Sequence, residues 1–233
     1  AAEKYRYLNL HQCGYFVGQL DYQQAKFPHG EFYELDLGFE FYAPQTTETA
    51  DGRRLMFGWL GMPDENELAQ PTIKYGWVDC MSSPRELSLR NGKLYQQPVK
   101  ELQLLRQSDG FRWQGSAQDA PELAAVSAEI MVEVSQPFTL TLRDEASMSW
   151  DGECLMLTRR NWRTGEQESR YWFGSLTSLQ LLLDSSSLEV FINGGEACMT
   201  ARYFPSPEKR TLQFHGTGTV SIHHWLLSAC MIE

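Results

Sequence analysis

The sequence predicts an all-β protein, and three observations support this class. Short stretches of alternating apolar and polar residues recur along the chain, Gly, Pro, Asn and Asp bound these stretches, and apolar residues rarely follow helical spacing. The chain has 233 residues, of which 42% are hydrophobic and 12% aromatic, as is typical of globular proteins. This length suffices for one large domain or two small ones.

The first part of the chain contains a predicted β-hairpin. Residues 87–89 and 94–96 flank Asn91-Gly92, and Asn-Gly favours a type I′ turn because both central residues of that turn need positive φ. Other predicted strands in this part are 5–10, 15–21 and 55–59.

The segment 98–106 is the best candidate for a helix. Its sequence is PVKELQLLR, in which Val99, Leu102 and Leu105 follow helical spacing. We expect it to be a helical linker between a domain at 1–97 and a domain at 107–233.

The second domain is denser in predicted strands. They are 126–134, 138–142, 155–159, 179–183, 188–192, 197–203, 211–214 and 219–226. Asn193-Gly194-Gly195 provides a turn between two of them. About eight strands of this length fit a β-sandwich of two sheets.

Charge and composition argue against several classes of partner. The net charge is −10 with no basic stripe, whereas nucleic-acid binding requires clustered Lys and Arg. No apolar run approaches the roughly 20 residues that span a bilayer, and the N-terminus has no apolar stretch of signal-peptide length. We therefore expect neither nucleic-acid nor membrane binding, and a cytoplasmic location.

The five cysteines are scattered without CxxC or other metal-type spacing; they are Cys13, Cys80, Cys154, Cys198 and Cys230. We expect them to be reduced thiols. The spacing therefore predicts no metal site.

Three groups of motifs stand out in the order of the chain. The first is ELDLGFEFYAPQ at 34–45, followed by DGRR at 51–54 and by Gly58-Trp59. The second is Gly76-Trp77, with PREL at 84–87 and QPV at 97–99 after it. The third is SLEVFINGGE at 187–196, followed by RYFP at 202–205.

Together these motifs resemble glycoside hydrolase family 32, which includes invertases, fructanases and bacterial sucrose-6-phosphate hydrolases. FYAPQ, DGRR and FINGGE are similar to the sucrose-6-phosphate hydrolases of this family. The resemblance implies a five-bladed β-propeller that holds the active site, followed by a β-sandwich. This chain would then comprise the end of blade four, blade five and the sandwich. The functional lineage that the resemblance implies is hydrolysis of the fructosyl bond in sucrose or sucrose-6-phosphate, with no cofactor or metal.

The catalytic motifs of the family are absent from this sequence. A retaining glycosidase needs two carboxyl groups roughly 5 Å apart, one as nucleophile and one as acid and base. The family places its carboxylates in N-D-P-N-G, R-D-P and E-C-P motifs. Here Arg143-Asp144 is followed by Glu145, and Glu153-Cys154 is followed by Leu155. We therefore assign no catalytic residue, expect the chain to be inactive alone, and leave open whether it acts as part of an enzyme.

The resemblance also implies a remaining part of the sugar pocket. Aromatic residues of blade five line the fructosyl site, and the matching positions are Phe41, Tyr42 and Trp59. Asp36 and Glu40 lie beside them and are candidates to accept hydrogen bonds from sugar hydroxyls. Glu40 stands where bacterial relatives have Asp. The alternatives are that Phe41 belongs to the core and that the two acids cap turns.

Two pairs of adjacent charged residues in the first part of the chain have predicted roles. Arg53 and Arg54 either contact a substrate phosphate or lie exposed in a hairpin. Arg85-Glu86 is expected to form an ion pair near the domain junction.

Two hypotheses follow for the whole chain. In one, it is a piece of an enzyme that works with an N-terminal propeller fragment containing the carboxylates. In the other, it is a non-catalytic remnant that binds carbohydrate or mediates oligomers. An incomplete propeller exposes strand edges and apolar faces, so we expect either an N-terminal fragment or self-association to cover them.

Overall fold

Every regular element of the described chain is a β-strand or a short 3-10 helix. The structure is a computed structural model that describes residues 2–230. Over these residues the strands form a two-stranded ribbon, a four-stranded sheet and two six-stranded sheets. The predicted all-β class is therefore confirmed. No helix within residues 2–230 has the length and apolar character of a membrane-spanning segment.

The first part of the chain forms the ribbon and the four-stranded sheet. The ribbon pairs β1 (Gly14–Tyr15) with β2 (Tyr33–Glu34). The four-stranded sheet contains β3 (Tyr42–Glu48), β4 (Arg54–Trp59), β5 (Arg85–Arg90) and β6 (Lys93–Pro98), in that order. Between β5 and β6, Asn91 and Gly92 have φ values of 49° and 77°, so the predicted Asn-Gly hairpin is confirmed.

Two predicted strands near the N-terminus are wrong. Residues 5–10 contain no strand, and within 15–21 only Tyr15 lies in one. Gly18 and Asp21 form isolated bridges to His29 and Lys26. A strand requires a neighbour that satisfies its N–H and C=O groups, and alternation of side chains does not supply that neighbour.

A 3-10 helix at Lys100–Leu105 follows β6 and leads to the sandwich. Sheet 1 has the order β13-β12-β11-β10-β17-β8, and sheet 2 has the order β16-β15-β14-β9-β18-β7. The twelve strands are β7 (Phe111–Ser116), β8 (Leu123–Ala124), β9 (Ala128–Val134), β10 (Phe138–Leu142), β11 (Ala146–Trp150), β12 (Cys154–Arg160), β13 (Gln167–Phe173), β14 (Ser178–Leu183), β15 (Ser187–Ile192), β16 (Ala197–Arg202), β17 (Thr211–His215) and β18 (Thr219–Leu226).

The main hydrophobic core lies between sheets 1 and 2. Leu140 and Leu142 of β10 and Leu181 and Leu183 of β14 belong to it. Within each strand the two leucines are two residues apart, and they share a face because successive side chains of a strand point to opposite faces. A smaller core cluster in the first part of the chain contains Leu35, Phe41, Met56 and Leu60.

Residues 35–39 cover the edge of sheet 2 along β16. The backbone N–H of Leu37 donates to the carbonyl of Cys198 at 2.8 Å, and that of Phe39 donates to the carbonyl of Thr200 at 2.7 Å. A Cβ on Gly38 would overlap with the backbone of Thr200. The close approach of the two backbones therefore requires glycine at 38. The pairing also covers the β16 edge of sheet 2, which would otherwise expose unpaired backbone N–H and C=O groups.

Candidate functional site

Tyr42 and Trp59 form a pair of aromatic rings at one end of the four-stranded sheet, which we call the aromatic wall. They are register partners between β3 and β4, and their ring centroids lie 6.5 Å apart at an interplanar angle of 55°. Both side chains are partly exposed, and the ring of His11 lies 5.7 Å from that of Tyr42. The structure thus brings together two of the three predicted aromatic site residues and adds His11, for which the sequence motifs gave no indication.

Local backbone features orient these two rings. The register between β3 and β4 shifts between Tyr42 and Gln45, and Ala43 within this bulge has a φ of 44°. A bulge redirects the side chains beside it. On the β4 side, a Cβ on Gly61 would overlap with the indole of Trp59. Glycine at 61 therefore leaves the space that the Trp59 ring occupies.

Phe41 immediately precedes β3 and is buried, with 4% exposure. It belongs to the smaller core cluster, and its ring also lies 4.1 Å from the guanidinium of Arg85. A Cβ on Gly58 would overlap with the Phe41 ring. Of the two alternatives for Phe41, the structure places it in the core.

Asp36 is buried and its carboxylate accepts four hydrogen bonds from the protein. Oδ1 accepts from the backbone N–H groups of Gly38 at 2.9 Å and Thr200 at 2.8 Å. Oδ2 accepts from Arg85 Nη1 at 3.0 Å and from the Thr200 hydroxyl at 2.6 Å. Since an ionised carboxylate offers about four acceptor positions, all of them are occupied by the chain itself. Asp36 joins the first part of the chain to β16.

Glu40 is buried at the same junction. Its Oε2 accepts from Arg159 Nη1 at 2.6 Å and from the backbone N–H of Arg202 at 2.8 Å. Burial raises the pKa of Glu40, and the charge and hydrogen bonds of Arg159 oppose that effect. Its Oε1 receives no hydrogen bond from the residues that the structure describes. Glu40 lines a cleft of about 720 Å³ together with Asn9 and Arg170.

Arg85 is the centre of the junction, with no measurable exposure. Its guanidinium pairs with Asp36 at 3.0 Å and with Glu189 of β15 at 2.9 Å. It also donates to Gln96 and Thr200. Arg85 and Glu86 are adjacent on a strand and point to opposite faces, so they are not each other's partners.

Glu86 instead faces Arg53, together with two other carboxylates. Arg53 lies 3.0 Å from Asp51, 3.4 Å from Glu86 and 2.8 Å from Glu101, while Arg54 lies 2.9 Å from Glu48. A phosphate at Arg53 would be repelled by these acids. The structure therefore favours the alternative in which both arginines belong to hairpin ion pairs.

The described part of the chain contains neither a cluster of metal-ligating side chains nor a disulfide. Residues 2–230 contain no group of three or more His, Cys, Asp or Glu side chains arranged to hold a metal ion. The cysteines are free thiols, of which Cys198 is buried and Cys230 exposed.

Comparison with known protein families covers nearly all of the chain. The profile described as "Glycosyl hydrolases family 32 N-terminal domain" matches residues 1–98, and that described as "Glycosyl hydrolases family 32 C terminal" matches residues 99–226. The chain belongs to glycoside hydrolase family 32. The predicted resemblance is therefore confirmed.

Characterised family 32 proteins resemble the chain along its length. The sucrose-6-phosphate hydrolase of Salmonella typhimurium is 41% identical over 233 residues, which are 100% of this chain and 49% of that protein. The sucrose-6-phosphate hydrolase of Bacillus subtilis is 39% identical and covers 93% of this chain and 47% of that protein. The chain thus spans about half the length of the curated relatives that it matches.

Solved family 32 structures share the fold. The sucrose-6-phosphate hydrolase from Lactobacillus gasseri superposes with a TM-score of 0.81 at 23% identity, covering 94% of this chain and 48% of that one; this shows the fold alone. A Bombyx mori GH32 beta-fructofuranosidase superposes with a TM-score of 0.78 at 29% identity, covering 96% of this chain and 48% of that one. The all-β architecture is therefore that of family 32.

Proposed function

We propose that the chain is the C-terminal portion of a β-fructofuranosidase that hydrolyses the fructosyl bond of sucrose or sucrose-6-phosphate. The main support is the similarity to sucrose-6-phosphate hydrolases over the whole chain. In this proposal residues 1–97 are the end of the propeller, 98–106 link the domains, and 107–233 form the sandwich. The four-stranded sheet would be blade five, and β1 and β2 would belong to blade four.

The contribution of the chain to the sugar site is the aromatic wall. Tyr42 and Trp59 are partly exposed, and their flat apolar faces suit the C–H groups of a sugar ring, while the Tyr hydroxyl and Trp N–H provide polar edges. Asp36 and Glu40 lie at the junction with the sandwich, where both are buried. Since Asp36 is fully hydrogen bonded by the chain and Glu40 is paired with Arg159, we assign neither a direct catalytic role.

The catalytic carboxylates would come from the part of the enzyme that lies outside this chain. The relatives are about twice as long, and the N-D-P-N-G, R-D-P and E-C-P sequences are absent here. We propose that the chain alone is inactive and that an N-terminal propeller fragment completes it.

The distribution of exposed apolar side chains supports a covered first domain. Most of the exposed large hydrophobic residues lie within residues 1–97; those exposed by at least 44% there are Leu10, Phe16, Leu20, Tyr22, Leu68, Ile73, Tyr75, Trp77, Met81 and Leu89. A set of this size on one part of a protein marks a contact surface. The N-terminal fragment is the proposed occupant, and self-association is the alternative.

The experiment that tests this function is an assay of fructose release from sucrose and from sucrose-6-phosphate. The chain is purified alone and, separately, co-expressed with the N-terminal half of a sucrose-6-phosphate hydrolase, with intact masses recorded for both samples. We expect fructose only from the complex. Fructose from the pure 26.8 kDa chain would contradict the proposed inactivity. Absence of any complex would favour the non-catalytic alternative.

A second candidate function, binding of a neutral carbohydrate by the sandwich, is favoured by a cleft of about 670 Å³ on the outer face of sheet 2. Arg112 and Gln114 of β7 and Glu133 of β9 line it, and their side chains form no hydrogen bond with other described residues. One arginine, one glutamate and three glutamine amides line the cleft, so the charges balance and the amides suit sugar hydroxyls. Sucrose titration of Gln114→Ala distinguishes this site from the aromatic wall, because a sugar bound at the wall would be unaffected.

A further inference from the structure

A carboxylate of the sandwich bonds to the start of β5, the strand that pairs with β4 of the aromatic wall. Glu189 of β15 is buried, with 4% exposure. Its Oε1 accepts a hydrogen bond from the backbone N–H of Ser83 at 2.7 Å, and its Oε2 accepts one from Arg85 Nη2 at 2.9 Å. Both partners precede it by more than 100 residues. Each oxygen of Glu189 thus bonds across the domain junction.

The first route from Glu189 to the wall passes through Arg85 and Phe41. The Arg85 guanidinium lies over the Phe41 ring at 4.1 Å from its centroid. The Phe41 ring in turn fills the space that a Cβ on Gly58 would need. Phe41 immediately precedes Tyr42, and Gly58 immediately precedes Trp59. The stack of guanidinium, ring and glycine therefore fixes the spacing of the two strands directly before both wall residues.

The second route passes through the backbone beside Ser83. The neighbouring Ser82 exchanges two hydrogen bonds with Gly58: the Gly58 N–H donates to Ser82 Oγ at 3.0 Å, and the Ser82 N–H donates to the Gly58 carbonyl at 2.8 Å. Because Glu189 holds the next N–H along the chain, it fixes this segment from the sandwich side. The two routes meet at Gly58, one residue before Trp59.

We propose that Glu189 is a positioning residue, through which the sandwich sets the geometry of the Tyr42–Trp59 wall. That the wall binds a sugar rests on the proposed function, whereas the positioning role of Glu189 does not. A buried, fully paired charge suits this role, because moving it would leave ions without partners in an apolar region. Side chains that line a binding site need such support to keep a fixed geometry.

The test follows the Trp59 side chain directly. The chain is labelled with 5-fluorotryptophan, its 19F NMR spectrum is recorded without sugar, and the Trp59 resonance is identified by its loss in Trp59→Phe. In Glu189→Gln, which removes the charge that holds Arg85, we expect the Trp59 resonance to shift or broaden. We also expect the affinity for sucrose to fall several-fold.

A matched control comes from the same junction. Glu196 pairs with Lys93 at 2.6 Å across the two domains but contacts neither Phe41 nor Gly58. Glu196→Gln should leave the Trp59 resonance in place. A general loosening of the junction would move the resonance in both variants and would overturn the specific role of Glu189, as would an unmoved resonance in a folded Glu189→Gln.

A gentler variant keeps the test decisive if Glu189→Gln does not fold. Thr200 Oγ1 accepts from Arg85 Nη2 at 2.7 Å and donates to Asp36 Oδ2 at 2.6 Å, and Thr200→Val removes both bonds while both ion pairs of Arg85 remain. The Trp59 resonance should then move in the same direction by a smaller amount, and an unchanged resonance would overturn the proposal. If the resonance moves but the unaltered chain shows no response to sucrose, the positioning stands and the proposed sugar site fails.

Discussion

Arg85 and Glu189 stand 104 positions apart in the sequence, yet Nη2 of the arginine lies 2.9 Å from Oε2 of the glutamate. Neither side chain is more than 5% exposed. The pair lies between the four-stranded sheet and sheet 2, with Asp36 as a second carboxylate on the same guanidinium. Stability, geometry of the aromatic wall and attachment of the two domains therefore depend on a common group of charges.

Loss of Arg85 should destabilise the protein strongly. Arg85→Met keeps a flexible apolar stem but removes the guanidinium, so Asp36 and Glu189 remain buried without a cation, which costs about 3–5 kcal/mol. Urea unfolding followed by tryptophan fluorescence measures the change. Arg54→Met is the control, since its exposed pair with Glu48 contributes less than about 1 kcal/mol. Similar losses in both variants would contradict the importance assigned to the buried pair.

A methyl group at position 38 should separate residues 35–39 from β16. In Gly38→Ala the new Cβ overlaps with the Thr200 backbone, and relief of such overpacking costs about 1–3 kcal/mol. Hydrogen exchange of the Leu37 and Phe39 amides should accelerate. Gly30→Ala is the matched control, because the nearest atom to its new Cβ lies at 3.7 Å. Unchanged exchange in Gly38→Ala would show that the contact between residues 35–39 and β16 tolerates the methyl group.

Acidification should lower the free energy of unfolding because it protonates His224. Burial lowers the pKa of His224, and the hydrogen bond from its ring to the Ala124 carbonyl at 2.9 Å partly opposes this. The unfolded chain then binds the proton more readily, so this stability is present above pH 6.5 and is lost as the pH falls through the folded-state pKa. The loss amounts to about 1.4 kcal/mol for each unit of pKa depression.

Unfolding free energies measured from pH 8 to pH 5 test this dependence. His224→Gln should flatten the slope, whereas His215→Gln, at an exposed position on β17, should keep it. A slope that is equally steep in His224→Gln would assign the pH dependence to other groups.

The thiols should differ widely in reactivity. Burial raises the pKa of the Cys198 thiol, whereas Cys230 is exposed. A short pulse of iodoacetamide on the native protein should therefore label Cys230 first and Cys198 last, as read from peptide masses. Cys230→Ser should remove the fast phase. Labelling of Cys198 at the rate of Cys230 would indicate that sheet 2 opens readily at its β16 edge.

Sequence alone predicted the features that depend on local patterns. The turn at Asn91-Gly92 needs only two residues with positive φ, and the sandwich strands show their alternation within a few residues. The predictions missed β2, β3, β7, β8, β11 and β13. The small Ala146 and polar Ser147 and Ser149 weaken the pattern of β11, and β13 is an edge strand in which Trp172 is the one buried residue.

The candidate site was only partly predictable for a related reason. Family motifs identified Tyr42 and Trp59, which the fold places side by side. They also pointed to Asp36 and Glu40, but burial and ion pairing depend on partners such as Arg159, 119 residues from Glu40. Glu189 resembled an ordinary polar residue of a hairpin. Its partners become visible only when the two domains are in contact.

The strip at 35–39 also bears on how such enzymes can exchange parts during evolution. The two family profiles meet at residues 98 and 99, and a genetic crossover there would leave the peptide chain intact. The β16 of the new sandwich would nevertheless have to pair with residues 35–39 of the original first domain. This pairing includes the close approach of Gly38 to Thr200 and the bond from Leu37 to Cys198. The two halves should therefore be inherited as a matched set, and functional chimaeras should be recovered mainly when residues 35–39 travel with the sandwich.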